Sequence, residues 1–143
     1  MNHYICWQDD AVNLITNMPH TATSLSLSGY IPDTTEEILS VLSRISPQVN
    51  SLALCGGSFR ALGLHNIQQI FAMIPTTIRS MQLYLYENDL EEILQIIHGL
   101  PAQVDSLVLH LFDLAHKDVG EVLAKVPSTV THLMYRICLT REN

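Results

Sequence analysis

Seven histidines, three cysteines and 14 acidic residues are the groups in this 143-residue chain that could support catalysis or bind a metal. Cys6, Cys55 and Cys138 are odd in number, far apart and in no CxxC pair. Such spacing builds neither a disulfide framework nor a zinc site, and it suits a reducing compartment. That reading also suits a protein delivered directly into a cytosol. His3, His20, His65, His98 and His116 are expected on loops or helix ends, solvated. His110 and His132 remain, and they are not expected to converge. No HExxH, GxSxG or paired-carboxylate signature is present. Asp9-Asp10, Glu36-Glu37 and Glu91-Glu92 are adjacent pairs at separate places, which reads as helix capping and solubility. The Cys55–Gly63 stretch holds Gly56-Gly57 but no GxxxxGK[ST] pattern, and Arg60 is its single basic residue. An irregular surface loop is expected there, not a phosphate cradle. No catalytic, cofactor-binding or metal-binding residue is expected.

Composition narrows the remaining classes. Apolar residues make up 48%, charged ones 15%, and the formal charge is −7. The chain can build a core, and it lacks the basic footprint expected for nucleic acid or an anionic membrane. No apolar run reaches the 18 or so residues of a membrane span. Met1-Asn2-His3-Tyr4 does not read as the start of a signal peptide.

The elements that must position any site follow from a repeat. Prolines recur at Pro19, Pro47, Pro75, Pro101 and Pro127, and alignment on them exposes one apolar template. It reads Ala11, Leu14, Ile15, Met18, Ala22, Leu25, Leu27 in the first unit. It reads Ile38, Val41, Leu42, Ile45, Val49, Leu52, Leu54 in the second and Ile67, Ile70, Phe71, Ile74, Ile78, Met81, Leu83 in the third. The fourth is Ile93, Ile96, Ile97, Leu100, Val104, Leu107, Leu109. The fifth is Val119, Val122, Leu123, Val126, Val130, Leu133, Tyr135. All 35 positions are apolar. The first four of each unit form a helical stripe, and the last two alternate as in a half-buried strand. Proline stops each helix, and acids precede most of them. The expectation is an α/β solenoid of about five helix–strand units, starting near residues 11, 38, 67, 93 and 119. A parallel sheet would line a concave face, with helices on the convex side. The whole of 1–143 is one domain in this reading.

Val104-Asp105-Ser106-Leu107-Val108-Leu109 matches the LxxLxL core of leucine-rich repeats, and the period resembles the ribonuclease-inhibitor-like subclass. The phrase Leu/Ile-Pro-x-x-Val-x-Ser-Leu-x-Leu, as at Leu100–Leu109, resembles repeats of Legionella-type leucine-rich repeat effectors. One departure stands out. The family places Asn or Cys three residues after the second strand leucine. Here those places hold Tyr30, Gly57, Tyr86, Phe112 and Cys138, so aromatic packing is expected to replace the usual hydrogen-bonding ladder.

Residues 1–10 are expected to form an N-terminal cap, with 1–8 a loop from which Tyr4, Ile5 and Trp7 fold over the first unit. The last strand, near Thr131–Arg136, is expected to be an open edge. Such an edge is either tolerated because it is short or pairs with a second copy to give a homodimer.

Side chains flanking the strand leucines should line the concave face in three rows. These are Ser24, Ser51, Ser80, Ser106, His132; Ser26, Ala53, Gln82, Val108, Met134; and Ser28, Cys55, Tyr84, His110, Arg136. The first half is small and hydroxylated. The second gains Tyr, Arg and Met, which favour protein contacts. Gln82, Tyr84, Val108, His110, His132, Met134 and Arg136 are therefore the expected partner-binding residues. The expected function is a non-enzymatic module binding a partner protein on this face. The effector resemblance implies a host protein, reached after secretion into the host cytoplasm. The alternative is a structural or accessory subunit of a complex in the bacterial cytoplasm, docking through the open C-terminal strand.

Overall fold

The computed structural model describes residues 2–7, 10–28, 35–54, 64–86 and 88–139. The elements are β1 (Asn2–Cys6), α1 (Ala11–Thr16), β2 (Ser24–Ser28), α2 (Thr35–Ser43), β3 (Ser51–Leu54) and α3 (Leu64–Ala72). They continue with β4 (Ser80–Leu85), α4 (Leu90–His98), β5 (Ser106–Phe112), α5 (His116–Ala124) and β6 (His132–Cys138). The strands form one parallel sheet in chain order, β1-β2-β3-β4-β5-β6. Every connection between strands carries a helix, as a parallel pair requires.

Local chemistry accounts for the regularity. The carbonyls of Pro19, Pro75, Pro101 and Pro127 each accept the N–H of the residue three positions on, closing the turn between helix and strand. In the second unit Ser46 does this, because Pro47 is displaced by one place. At the strand entries, the Thr23, Asn50, Arg79 and Asp105 carbonyls each accept two successive N–H groups from the next unit. Each unit thus sets the register of the next. Glu36 and Glu37, Glu91 and Glu92, and Asp118 lie in the first turns of α2, α4 and α5, where the helix dipole favours negative charge. In α4 the arrangement is a full capping box. Asp89 Oδ1 accepts the Glu92 N–H at 2.9 Å, and the Asp89 N–H donates to Glu92 Oε1 at 3.0 Å.

The template residues form one core between sheet and helices. Six of them are not fully buried: Leu14, Leu123, Val126, Val130, Leu133 and Tyr135. Five belong to the fifth unit, whose core side meets no further element among the described residues. Two sequence expectations are corrected at the ends. Residues 2–6 are not a loop but a strand, β1, paired with β2 from Asn2↔Ser24 to Cys6↔Ser28. The N–H of Trp7 extends that ladder to the Ser28 carbonyl at 2.8 Å. Ile5 and Trp7 do enter the core, but Tyr4 points out and is exposed. His3, expected on a loop, is a strand residue opposite Leu25. The final strand runs to Cys138 and not to Arg136, because Ile137 and Cys138 pair with Leu111 and Phe112.

One buried polar group stands apart. Asn88 is 9% exposed, and neither its amide nitrogen nor its oxygen finds a partner among the described residues. The next unit has Leu114 at the corresponding place, two residues past the aromatic that follows the strand leucines, packed against the core.

Candidate functional site

The helix-free face of the sheet is built by strict alternation. Strand residues that point to the helices are apolar and buried, and their neighbours point away. Register then lines the outward residues into rows. Ser24, Ser51, Ser80, Ser106 and His132 form the first. Tyr4, Ser26, Ala53, Gln82, Val108 and Met134 form the second, with β1 adding Tyr4. Tyr84, His110 and Arg136 form the third. Ser28 and Cys6 pair further along the face. Cys55, expected in the third row, lies outside the described residues, as does the rest of the Cys55–Gly63 loop.

Gln82, Tyr84 and His110 come together. The Tyr84 and His110 rings stack with centroids 3.9 Å apart and planes 3° from parallel. Gln82 Oε1 accepts from the Tyr84 hydroxyl at 3.1 Å and lies 2.6 Å from His110 Nε2. With an oxygen as partner, Nε2 is the protonated ring nitrogen. His110 keeps its expected place in the third row, but the cluster covers it so well that it is only 6% exposed. Burial, and secondarily the charge of Arg136, lowers its pKa from the ordinary 6.5. The imidazole is therefore neutral at pH 7.

The other expected residues surround this cluster without joining it. Val108 sits half-buried between Gln82 and Met134, and Met134 is exposed. Arg136 is exposed and pairs in register with His110. His132 is four residues from Arg136 along β6, about 13 Å at strand rise, and its Nδ1 contacts Thr131 Oγ1 at 3.1 Å. The two histidines do not converge. No group of three or more His, Cys, Asp or Glu among the described residues is placed to hold a metal ion. No helix among them is long and apolar enough to cross a membrane.

Residue types alone did not indicate that the first half of the face is hollowed. A depression of about 350 Å³ lies toward β1–β3, lined by Tyr4, Ser24, Leu25, Ser26, Ser51, Ala53, Gln82 and Tyr84. Gln82 and Tyr84 stand on its far wall and belong to both regions. The small side chains were legible as rows, but Tyr4 joins them only because residues 2–6 pair as a strand. Tyr86, just past β4, and Phe112, the last residue of β5, pack edge to face at 5.4 Å, as expected for aromatics in place of the ladder. Tyr30 and Gly57 lie outside the described residues.

Comparison with protein-family models returns no match, and comparison with curated proteins returns no significant one. Among solved structures, the leucine-rich repeat-containing protein LegL7 from Legionella pneumophila superposes with a TM-score of 0.54 at 20% identity. The match covers 93% of this chain and 63% of that one. The fold is a leucine-rich repeat solenoid. Its helix-free face is the concave face, and each repeat carries a helix, as in the ribonuclease-inhibitor-like subclass.

Proposed function

We propose that the protein is a non-enzymatic interaction module that binds a partner protein through the second half of its concave face. Gln82, Tyr84, Val108, His110, His132, Met134 and Arg136 supply the contacts. The observation that carries this reading is the Gln82–Tyr84–His110 cluster. Its rings and amide are locked together before any partner arrives, so little side-chain entropy is lost on binding. The same lock argues against catalysis, since His110 Nε2 is committed to Gln82 and is not free to move a proton. The repeat phrase at Leu100–Leu109 extends the reading to a bacterial effector that meets a host protein in the host cytoplasm. The test is affinity capture from eukaryotic lysate, with wild type beside a Tyr84/His110/Arg136 triple alanine. Because His110 is packed, Val108→Arg is run alongside as a variant that keeps the cluster. A protein retained by wild type and lost from both variants supports the reading. Equal retention by all three overturns it.

A second reading has its own observation. Leu133, Tyr135 and Ile137 are exposed on β6, and β6 has one strand neighbour among the described residues. In this reading the chain is a structural or accessory subunit, or a homodimer, joined through that edge, and it acts in the bacterial cytoplasm. Light scattering of wild type and Met134→Lys tests it. An assembly that the lysine dissolves favours the edge, and a monomer at all concentrations removes the homodimer.

A further inference from the structure

The distribution of charge on the sheet is unlike that of the chain. Of 14 acidic residues in a chain of net charge −7, none falls in any of the six strands. The helix starts absorb many of them, where the dipole holds them. Arg136 is the one permanently charged side chain on the strands. It makes no ion pair or hydrogen bond among the described residues. Its row neighbour His110 is buried against Tyr84, so a flat uncharged wall stands beside the guanidinium. Toward β1 the face becomes the depression floored by Ser24, Ser26, Ser51 and Ala53, again without a charge.

We propose that the concave face recognises an extended, uncharged polar segment of a partner protein that sets a single carboxylate on Arg136. The proposal rests on the concave-face reading above and names the chemistry of its partner. Small side chains in the depression let a peptide backbone approach closely, and the serine hydroxyls can exchange hydrogen bonds with it. Arg136 offers a planar fork of donors that matches a carboxylate. From β3 to β6 is three strand steps, about 14 Å, which an extended chain crosses in about four residues. The segment is otherwise uncharged because basic side chains find no carboxylate on the strands, and Arg136 is the one cation there for an acid to meet. One guanidinium in a chain of this charge does not form a polyanion site, so nucleic acid is not the occupant.

The test is selection of a displayed random heptapeptide library on wild type, Arg136→Gln, Arg136→Glu and Val108→Arg, each first checked for the wild-type thermal transition. Wild type should enrich peptides with one Asp or Glu at a fixed position, about four places from a Ser, Thr, Asn or Gly run. Arg136→Glu should exchange that acid for Lys or Arg. A synthetic selected peptide should lose about tenfold in affinity for wild type when its acid becomes the amide, and should lose nothing with Arg136→Gln. Peptides blocked by Val108→Arg but lacking a fixed acid would overturn this inference and leave the concave-face reading standing. No enrichment, or enrichment indifferent to both Val108→Arg and Arg136→Glu, overturns both.

Discussion

Leu107 and Leu133 are register partners on β5 and β6 and hold the same place in the repeat, yet Leu107 is 1% exposed and Leu133 is 41% exposed. Their chemistry is identical, so the difference is what lies over them. Leu107→Ala should cost about 2–5 kcal/mol, the range for a leucine deleted from a packed core. Leu133→Ala should cost about 1 kcal/mol or less, because water already reaches the site. Urea denaturation of the two variants measures both. Equal losses would mean that β6 is covered in solution.

Asn88 buries an amide that has no partner among the described residues, at a place where the next repeat has Leu114. An unmade hydrogen bond of a buried group costs about 1–3 kcal/mol. Asn88→Leu should therefore raise the thermal midpoint. A lower midpoint in calorimetry would show that the amide is satisfied.

The α4 capping box predicts a loss in the other direction. Asp89→Ala removes the acceptor of the Glu92 N–H and should destabilise by about 1 kcal/mol, while Asp89→Asn should retain most of the cap. Urea midpoints of the two variants separate capping from charge.

His110 makes stability depend on pH. Its pKa is lowered from 6.5, by burial first and by Arg136 second. The unfolded chain then takes up this proton near pH 6.5, while the folded chain takes it up only at lower pH. The stability tied to His110 is complete above 6.5 and is lost as pH falls below it. His110→Phe keeps a ring for Tyr84 to stack on and removes the proton. The urea midpoint of wild type should fall more between pH 7.5 and 5.5 than that of the variant. Equal falls would show that His110 does not titrate differently on folding.

The repeat was legible in the residues because its two halves obey simple periods. Ile93, Ile96 and Ile97 can share a helix face with one another, and Leu107 and Leu109 can share a strand face. A proline after the helix forbids the alternative of a single long helix. Parallel pairing followed, since helices of this length leave no room for hairpins. β1 was not legible because the single unit it would need, with a helix before it, is missing from the pattern. Tyr4 and Ile5 reveal their opposite orientations only once β2 lies alongside.

The residues alone carried the five helix–strand units, their order and which of those units' side chains line each face, because these follow from backbone periods acting within about 25 residues. Only the tertiary structure decided that Tyr84 and His110, 26 positions apart, stack and share Gln82. It alone also covered His110 within the concave row where alternation had placed it, and left Leu133 and Tyr135 open where the template had placed them in the core. Exposure and ring contact depend on what a neighbouring repeat puts across the strand, and no local period carries that information.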